Sequence, residues 1–258
     1  MKDIKVFYNS KKEYLGKIYL GDCLDIIPTI KDDIEIAVTS PPYNLLPGLS
    51  KHEISRRPNW YNDSLPEPLY QANQKMVIEL LLRLCDSSIF YNHKVRYAWH
   101  SRNKYSGKSK IYHPMEWLCN FPIWTEIIWD RVCTNKPISK RLTIMEERIY
   151  QIGKPNKFNE QYNIGNIWKI KRTLNQNHPC SFPLALPIQC ILLCTDPGDT
   201  IIDPYLGSGQ TAIAAIKNNR KFVGIEKNPK FFEESCRQIN KYLSTYQQCK
   251  LDLFGGQA

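Results

Sequence analysis

The sequence contains no run of about 18 or more apolar residues, and this absence predicts a chain without a membrane span. The N-terminus, MKDIKVFYNSKKEY, also lacks the apolar core of a secretion signal. We therefore expect a cytoplasmic protein with no membrane partner. With 258 residues, 42% of them hydrophobic, the chain is long enough for a single large α/β domain over residues 1–258.

The nine cysteines include no CxxC pair, so the spacing typical of a zinc site is missing. Cys190 and Cys194 stand four apart within an apolar stretch, a pattern that favours buried helix positions over metal ligation. The odd number of cysteines does not form a complete disulfide framework either. We expect reduced thiols and no bound metal.

Two nucleotide-binding motifs are also missing. No GxxxxGK[ST] motif occurs, so the chain has no P-loop lysine to hold phosphates. The glycine-rich turn that follows an apolar run reads Tyr205-Leu-Gly-Ser-Gly209, which lacks the first glycine of the dinucleotide fingerprint. These absences disfavour nucleoside triphosphates and dinucleotides as ligands.

Acidic residues are missing from a long central stretch, residues 87–115, in a chain whose net charge is +10. Basic and ring-bearing side chains alternate there, which is typical of nucleic-acid contacts, with cations for phosphates and rings for stacking. Basic ribosomal and membrane-surface proteins share a positive charge, and a solvated basic loop is the alternative interpretation. The side chains are Lys94, Arg96, Arg102, Lys104, Lys108 and Lys110, with Tyr97, Trp99, Tyr105, His93, His100 and His113.

The sequence does contain an alternation of apolar strand-like and amphipathic helix-like segments. This alternation predicts an α/β fold with a mostly parallel sheet flanked by helices. The predicted strands are 17–20, 34–38, 88–91, 124–129, 147–152, 200–203 and 221–226. The predicted helices are 23–30, 69–85, 183–194, 210–218 and 231–247, and segments 45–68 and 154–177 are predicted to be irregular.

Residues 39–44 read Thr-Ser-Pro-Pro-Tyr-Asn and follow the apolar run 34–38 directly. The two prolines fix φ near about −65° and remove two backbone donors. The Ser40 hydroxyl, free carbonyls and the Tyr43 ring are thus held in a rigid turn at the carboxyl end of a strand, where open α/β sheets bind ligands. Acceptors beside a stacking ring suit chemistry on an exocyclic amine of a base. A stiff turn without a function is the alternative.

Residues 199–211, DTIIDPYLGSGQT, place Asp203 at the end of a strand and a glycine turn at the start of a small-residue helix. Glu226 ends the next predicted strand, and a carboxylate about 20 residues beyond such a turn commonly takes ribose hydroxyls. A ligand with a ribose but no phosphates fits best. S-adenosylmethionine is the common one, and Asp203 is expected to face its cationic amino-acid part.

In this order the motifs resemble those of the DNA amino-methyltransferases, specifically the permuted (beta-type) class in which the catalytic motif precedes the cofactor glycine motif. The resemblance covers most of the chain and rests on LGDCLD (20–25), TSPPYN (39–44), EIIW (126–129), HPCSFP (178–183) and DPYLGSG (203–209). It implies a Rossmann-like S-adenosylmethionine-dependent methyltransferase fold with a circularly permuted motif order, and S-adenosyl-L-methionine as the cofactor.

The resemblance also implies residue roles. Tyr43 stacks on a base flipped out of double-stranded DNA, while Ser40 and the Pro41 carbonyl accept hydrogen bonds from its amino group, and the methyl group is transferred directly. Pro42 completes this catalytic motif. The implied cofactor-binding residues are Asp22, Thr39, His178, Phe182, Pro183, Asp203, Pro204, Tyr205, Gly207, Ser208, Gly209, Thr211 and Glu226.

Some of these assignments have structural alternatives. Asp22 is also well placed to cap the next helix, Phe182 to pack in the core, and His178 to serve as a structural residue before a proline. Cys180 lies within the cofactor motif, so we expect it to pack and not to act as the nucleophile that methylation of cytosine carbon 5 requires.

Position 40 predicts the target base. In this family an aspartate there goes mainly with adenine and a serine mainly with cytosine, and a serine hydroxyl can also donate to the ring nitrogen beside the amine. Because the residue is Ser40, we expect a site-specific enzyme that methylates cytosine N4 within a restriction–modification system. An N6-adenine enzyme is the alternative.

Recognition of the DNA sequence is expected from three variable segments, 45–68, 94–120 and 132–177. The third is short, which suggests a brief target site or help from a second subunit. A homodimer and a cognate restriction endonuclease are therefore left open as partners. An RNA amino-methyltransferase is less favoured because such enzymes usually place the glycine motif first and add an RNA-binding domain. A silent nucleic-acid-binding protein is disfavoured because both motifs are intact.

Overall fold

The structure is a computed structural model, and it describes residues 3–45, 64–98, 110–132, 144–171 and 182–254. Parts of each predicted recognition segment lie outside these ranges, namely residues 46–63, 99–109, 133–143 and 172–177. So do His178 and Cys180, whose predicted roles stay predictions.

Eleven strands and six helices are formed by the described residues. The strands are β1 (Ile4–Tyr8), β2 (Tyr14–Leu20), β3 (Ile36–Thr39), β4 (Ile89–His93), β5 (Arg96–Ala98), β6 (Lys110–Tyr112), β7 (Ile123–Asp130), β8 (Glu146–Ile152), β9 (Ile167–Lys169), β10 (Thr200–Asp203) and β11 (Lys221–Glu226). The helices are α1 (Cys23–Ile26), α2 (Glu67–Leu84), α3 (Met115–Leu118), α4 (Ala185–Cys194), α5 (Gln210–Lys217) and α6 (Pro229–Phe254). Short 3₁₀ turns cover Ile27–Thr29 and Glu160–Tyr162.

Nine strands form one twisted sheet in the order β1-β2-β11-β10-β3-β4-β8-β7-β9, and β5 pairs with β6 in a separate hairpin. The five central strands, from β2 to β4, are parallel, while β1 and β8 are antiparallel to their inner neighbours. β3 is buried on both faces, as its unbroken apolar run predicts. The predicted α/β fold with a mostly parallel sheet is confirmed.

Helices cover both faces of this sheet. Alternate side chains of one strand enter opposite layers, so Ile201 packs with the core beside α4, α5 and α6, whereas Ile202 packs with the core beside α1, α2 and α3. From β3 the chain crosses through α2 to β4, and from the adjacent β10 it crosses through α5 to β11 on the other side. The carboxyl ends of β3 and β10 therefore form the topological switch point, where open sheets bind ligands.

The predicted elements are all present, with differences at their ends. The predicted helix 23–30 is an α-helix only to Ile26, after which Pro28 lies in the first 3₁₀ turn. The segment 154–177 was expected to be irregular, and this is wrong at β9, a three-residue strand that pairs with β7. β1, β5, β6 and α3 were also not predicted.

Candidate active site

A cavity of about 580 Å³ opens at the switch point and joins residues from the two ends of the sequence. Its wall includes the turns after β2, β3, β10 and β11 and one side of α2. The lining residues are Gly21, Asp22, Cys23, Leu24, Ser40, Pro41, Pro42, Tyr43, Leu45, Ser64, Leu65, Tyr70, Asn73, Gln74, Pro204, Tyr205, Gly207, Glu226, Lys227, Asn228, Pro229 and Phe231. The cavity has the size of a cofactor site.

The predicted catalytic turn, residues 39–44, is tied to the sheet by the hydroxyl of Tyr43. This hydroxyl lies 2.8 Å from Asn92 Oδ1, 2.9 Å from Glu147 Oε2 and 2.9 Å from Ser40 Oγ. Ser40 Oγ is also 3.3 Å from Asn92 Oδ1. Glu147 is in turn paired with Arg131 at 3.2 Å. The turn is therefore anchored by side chains of β4 and β8.

A second contact fixes the backbone of the turn. The Tyr70 hydroxyl lies 2.9 Å from the Pro42 carbonyl oxygen and 2.7 Å from Nε2 of His93. Burial, followed by the positive charge of Arg96, holds the pKa of His93 well below its usual range, so the ring is neutral. Since Nδ1 of His93 donates to the Lys94 carbonyl at 2.8 Å, Nε2 is an acceptor, and it shares the single Tyr70 proton with the Pro42 carbonyl oxygen.

Asn44 closes the catalytic turn on its far side. Its side chain accepts a hydrogen bond from the Leu65 backbone N–H at 2.7 Å and donates one to the Leu65 carbonyl at 2.9 Å. Its backbone is left-handed, with φ of 53°, a conformation that asparagine tolerates better than most residues. The two ends of segment 45–64 are thus held together beside the cavity.

Arg96 belongs to the basic stretch that was predicted to contact nucleic acid, but its side chain is used inside the fold. Its guanidinium forms two hydrogen bonds with Glu67, at 2.7 and 2.6 Å, and packs against the Tyr70 ring. Only 5% of its surface is exposed. This residue supports α2 and the neighbouring catalytic turn, and its predicted contact with phosphates is wrong because the charge is already paired inside the fold.

The glycine turn after β10 is shaped by main-chain contacts. Gly207 and Gly209 have φ of 56° and 85°, where a side chain would be strained. Glu226 accepts hydrogen bonds from the backbone N–H of Gly207 at 2.9 Å and of Asn228 at 2.8 Å. Burial raises the pKa of Glu226 although these two bonds act in the opposite direction. Its remaining lone pairs are available to ribose hydroxyls, as the spacing predicts.

Asp203 is not among the lining residues, and its expected direct contact with a cationic ligand is corrected. The carboxylate is 1% exposed and accepts hydrogen bonds from Thr39 at 2.8 Å, Thr211 at 2.6 Å and the Tyr205 N–H at 3.0 Å. Burial raises the pKa of Asp203 to about 6 despite these bonds. Asp203 joins β3, β10 and α5 under the cavity floor, and Thr39 and Thr211 are likewise supporting residues.

Asp22 is placed both to cap the next helix and to contact a ligand in the cavity. It caps α1 by accepting a hydrogen bond from the Leu24 N–H at 3.0 Å, and it pairs with Lys227 at 2.8 Å. Burial acts to raise the pKa of Asp22, but the hydrogen bonds from Lys227 and Leu24 hold it below its usual value. The residue also lines the cavity, so capping and ligand contact are compatible.

The other predicted cofactor residues fall into two groups. Pro204, Tyr205 and Gly207 line the cavity. The lining does not include Ser208, Gly209, Phe182 or Pro183, and Phe182 packs against the core instead, so the structure does not bring these four to the cavity.

Several residues at the site were missed from sequence. They are Tyr70, Asn73 and Gln74 on α2, Asn92 and His93 on β4, Glu147 on β8, and Lys227, Asn228 and Phe231 after β11. A signal existed for Asn92 and His93, since two polar residues extend the apolar strand beside the catalytic one. No comparable signal marked Glu147, because an antiparallel partner is not readable from local pattern.

The cavity suits S-adenosyl-L-methionine. It offers the Glu226 carboxylate for ribose hydroxyls, the Asp22 carboxylate for a cation, and apolar walls at Leu24, Pro204 and Phe231 for a flat ring. Within the described ranges no group of three or more metal-ligating side chains occurs, and none of the helices there is long and apolar enough to cross a bilayer.

Comparisons with known proteins place this chain among DNA methylases. The model of the family N6_N4_Mtase, described as DNA methylase, matches residues 34–237. Type II methyltransferase M.BglI of Bacillus subtilis is 43% identical over 77 residues, 30% of this chain and 22% of that protein. DNA adenine methyltransferase YhdJ of Escherichia coli K12 is 35% identical over 96 residues, 35% of this chain and 33% of that protein.

Other similarities run along nearly the whole chain. Type II methyltransferase M2.MboI of Moraxella bovis is 25% identical over 262 residues, 92% of each protein. Among solved structures, TTHA0409 of Thermus thermophilus in complex with S-adenosyl-L-methionine has a TM-score of 0.65 at 19% identity, covering 88% of this chain and 93% of that one. The cytosine-N4-specific PvuII DNA methyltransferase has a TM-score of 0.67 at 17% identity, covering 92% and 93%. Both solved structures have the same fold as this chain.

Proposed function

We propose that this chain, which belongs to the N6_N4_Mtase family of DNA methylases, methylates the exocyclic N4 amine of cytosine at specific sites in double-stranded DNA. The methyl donor is S-adenosyl-L-methionine. The observation that carries the proposal is the single cavity lined by both Ser40-Pro-Pro-Tyr43 and Glu226. An amine acceptor site and a nucleoside site within one cavity suit methyl transfer between two bound molecules.

The chain's own residues account for positioning. Glu226 and Asp22 hold the ribose and the cationic end of the cofactor, which supplies an electrophilic methyl group when bound. Ser40 Oγ and the Pro41 carbonyl accept hydrogen bonds from the target amine, which draws the nitrogen lone pair out of conjugation with the ring. Tyr43 stacks on the flipped base. These groups stabilise the transition state by orientation and by a fitted electrostatic environment.

A cysteine nucleophile does not fit this cavity. Cys23 is the cysteine that lines it within the described part of the chain, and burial raises the pKa of this thiol to about 12. A neutral thiol is a poor nucleophile, so covalent activation of a ring carbon is disfavoured. Direct transfer to an exocyclic nitrogen needs no such group.

The choice of cytosine rests on Ser40, and the choice of a restriction–modification system rests on the type II relatives. An N6-adenine enzyme is the second candidate, because the relative YhdJ is named as an adenine methyltransferase. A cognate endonuclease and a second copy of the chain are proposed partners. The predicted recognition segments 45–68, 94–120 and 132–177 are proposed to contact the DNA.

Nucleoside analysis tests the proposal. Purified protein is incubated with methyl-labelled S-adenosyl-L-methionine and DNA of varied sequence, and the product is digested to nucleosides. We expect label in N4-methylcytosine. Label in N6-methyladenine supports the second candidate, and transfer to RNA without transfer to any DNA contradicts both.

A further inference from the structure

Glu147 lies beyond the cavity wall and contacts it through one hydroxyl. It is 8% exposed, pairs with Arg131 at 3.2 Å, and its Oε2 lies 2.9 Å from the Tyr43 hydroxyl. Tyr43 in turn is 2.9 Å from Ser40 Oγ. A row of three oxygen atoms therefore connects a buried carboxylate to the serine that faces the target amine.

The orientation of Asn92 limits how protons can be arranged in this row. Its Nδ2 donates to the Arg148 carbonyl at 3.0 Å, so Oδ1 must point at the two hydroxyls. Oδ1 of Asn92 and Oε2 of Glu147, whose other oxygen pairs with Arg131, both lie as acceptors of the Tyr43 hydroxyl. If Tyr43 donated to Ser40 instead, two acceptor oxygens would face the Tyr43 oxygen at 2.8 and 2.9 Å with no proton between.

The carboxylate of Glu147 is a stronger acceptor than the amide oxygen of Asn92, so the Tyr43 proton is assigned to Glu147, and the Ser40 proton then goes to Tyr43 or Asn92. In each arrangement the Ser40 proton points away from the cavity, and only its lone pairs face the target. Hydrogen bonds that run from Ser40 through Tyr43 to the Glu147 carboxylate also polarise one another, which increases the electron density at Ser40 Oγ.

We propose that Glu147 is a positioning residue that acts through Tyr43 to hold Ser40 as a hydrogen-bond acceptor for the target amine. This inference rests on the proposed function and deepens it. In this arrangement the carboxylate lies on Glu147, one hydroxyl away from Ser40, and it polarises the Ser40 oxygen through Tyr43. An aspartate at position 40 would carry that negative charge itself. The expected donation from Ser40 to a ring nitrogen is not compatible with this arrangement, so the base is selected by contacts other than that donation.

Substitution of Glu147 tests the proposal against a matched control. Glu147→Gln removes the charge, and we expect kcat to fall by about 10- to 100-fold while KM for DNA and the affinity for the cofactor change by less than about threefold. Glu146→Gln is the control, because Glu146 is the neighbouring carboxylate of β8, points to the other face and pairs with Arg148 at 3.5 Å. Equal kcat values for the two variants would overturn the proposal, provided that both melt like the parent.

A double substitution separates this role from a structural one. Ser40→Asp alone places a second carboxylate near Glu147 and should lower activity by repulsion. The double variant Ser40→Asp/Glu147→Gln has one carboxylate, which has moved from position 147 to position 40. We expect it to be more active than either single variant. A double variant no better than Glu147→Gln alone contradicts the proposal.

A measurement without substrate keeps the proposal testable even if methyl transfer is not detected. In the free protein the Tyr43 hydroxyl proton, bonded to a buried carboxylate, should exchange slowly and give a downfield NMR signal that disappears in Glu147→Gln and persists in Glu146→Gln. A signal unchanged in Glu147→Gln overturns the arrangement itself. Failure of the wild-type protein to methylate DNA would contradict the proposed function alone.

Discussion

The catalytic turn and the glycine turn meet at one cavity, but different parts of the chain fix their shapes. Side chains from β4 and β8 hold Ser40 and Tyr43 through hydroxyl contacts. The glycine turn is held by the backbone N–H of Gly207, which donates to Glu226. The catalytic turn depends on side chains that are distant in the sequence, whereas the glycine turn depends on residues without a side chain, which accept a positive φ. We therefore expect substitutions in the two regions to damage different steps.

The largest separation is expected for Tyr43→Ala. This change removes the stacking ring and the hydroxyl that anchors Ser40, so we expect turnover to fall by at least about 100-fold. Calorimetry of cofactor binding by the same protein should give an affinity within about threefold of the parent, because the Tyr43 hydroxyl is anchored on β4 and β8 whereas Glu226 holds the glycine turn. Loss of both properties together would mean that the two regions are not separable.

The converse result is expected for Glu226→Ala. The change leaves the N–H groups of Gly207 and Asn228 without their acceptor and removes the predicted ribose partner. We expect cofactor affinity to fall by about 10- to 100-fold, which corresponds to about 1.4–2.8 kcal/mol. DNA binding measured without cofactor should stay unchanged. The exposed Glu233→Ala on α6 is the control, and an equal loss in both variants would argue against a specific role.

Asp203 should give an effect of similar size that depends on pH. Its folded-state pKa of about 6 lies above the usual value of 3.8, so protonated Asp203 stabilises the fold below about pH 4, and this stabilisation is lost as pH rises through about 6. The free energy of unfolding of the parent, relative to Asp203→Asn, should therefore fall by about 2.4 kcal/mol between pH 4 and pH 7.

Denaturant titrations at several pH values measure this dependence. A flat difference between the parent and Asp203→Asn would contradict the placement of a buried carboxylate at the joint between the two regions.

The smallest effect is expected at Asn44. Asn44→Ala removes both hydrogen bonds to Leu65 and leaves a left-handed backbone, so we expect a loss of about 2 kcal/mol in the free energy of unfolding. Asn44→Gly removes the same bonds but accepts the positive φ, and should be more stable than the alanine variant by about 1 kcal/mol. Denaturant titration measures both values, and an alanine variant as stable as the glycine variant would contradict the assigned backbone conformation.

The sequence was sufficient for the regions whose information is local. The apolar run before residue 39, the two prolines and the glycine turn each determine their own conformation, so the central strands and the edge of the sheet that carries the cavity were predictable. β9 was missed because three residues carry too little pattern, and its position is determined by pairing with β7. The same reason explains why Glu147 was missed, since only the β4–β8 register brings it to Tyr43.

Asp203 and Arg96 illustrate the opposite error, in which a charged residue was assigned to a ligand although the fold itself uses it. A sequence shows that a charge exists but not whether another residue already neutralises or solvates it. Asp203 meets two threonine hydroxyls, one of which is 164 residues away in the chain, and Arg96 meets a glutamate of α2. Such long-range pairs become visible only when the tertiary structure is known.

The two hydrogen bonds between Asn44 and Leu65 have a consequence for how the proposed recognition segment 45–68 can vary in length. They hold the two ends of the intervening segment together, and the entropy cost of closing a flexible chain between two such fixed ends grows only logarithmically with its length. Doubling its length costs about 0.6 kcal/mol. Segments of different length and composition can therefore be exchanged at this junction between related proteins while the catalytic turn keeps its geometry.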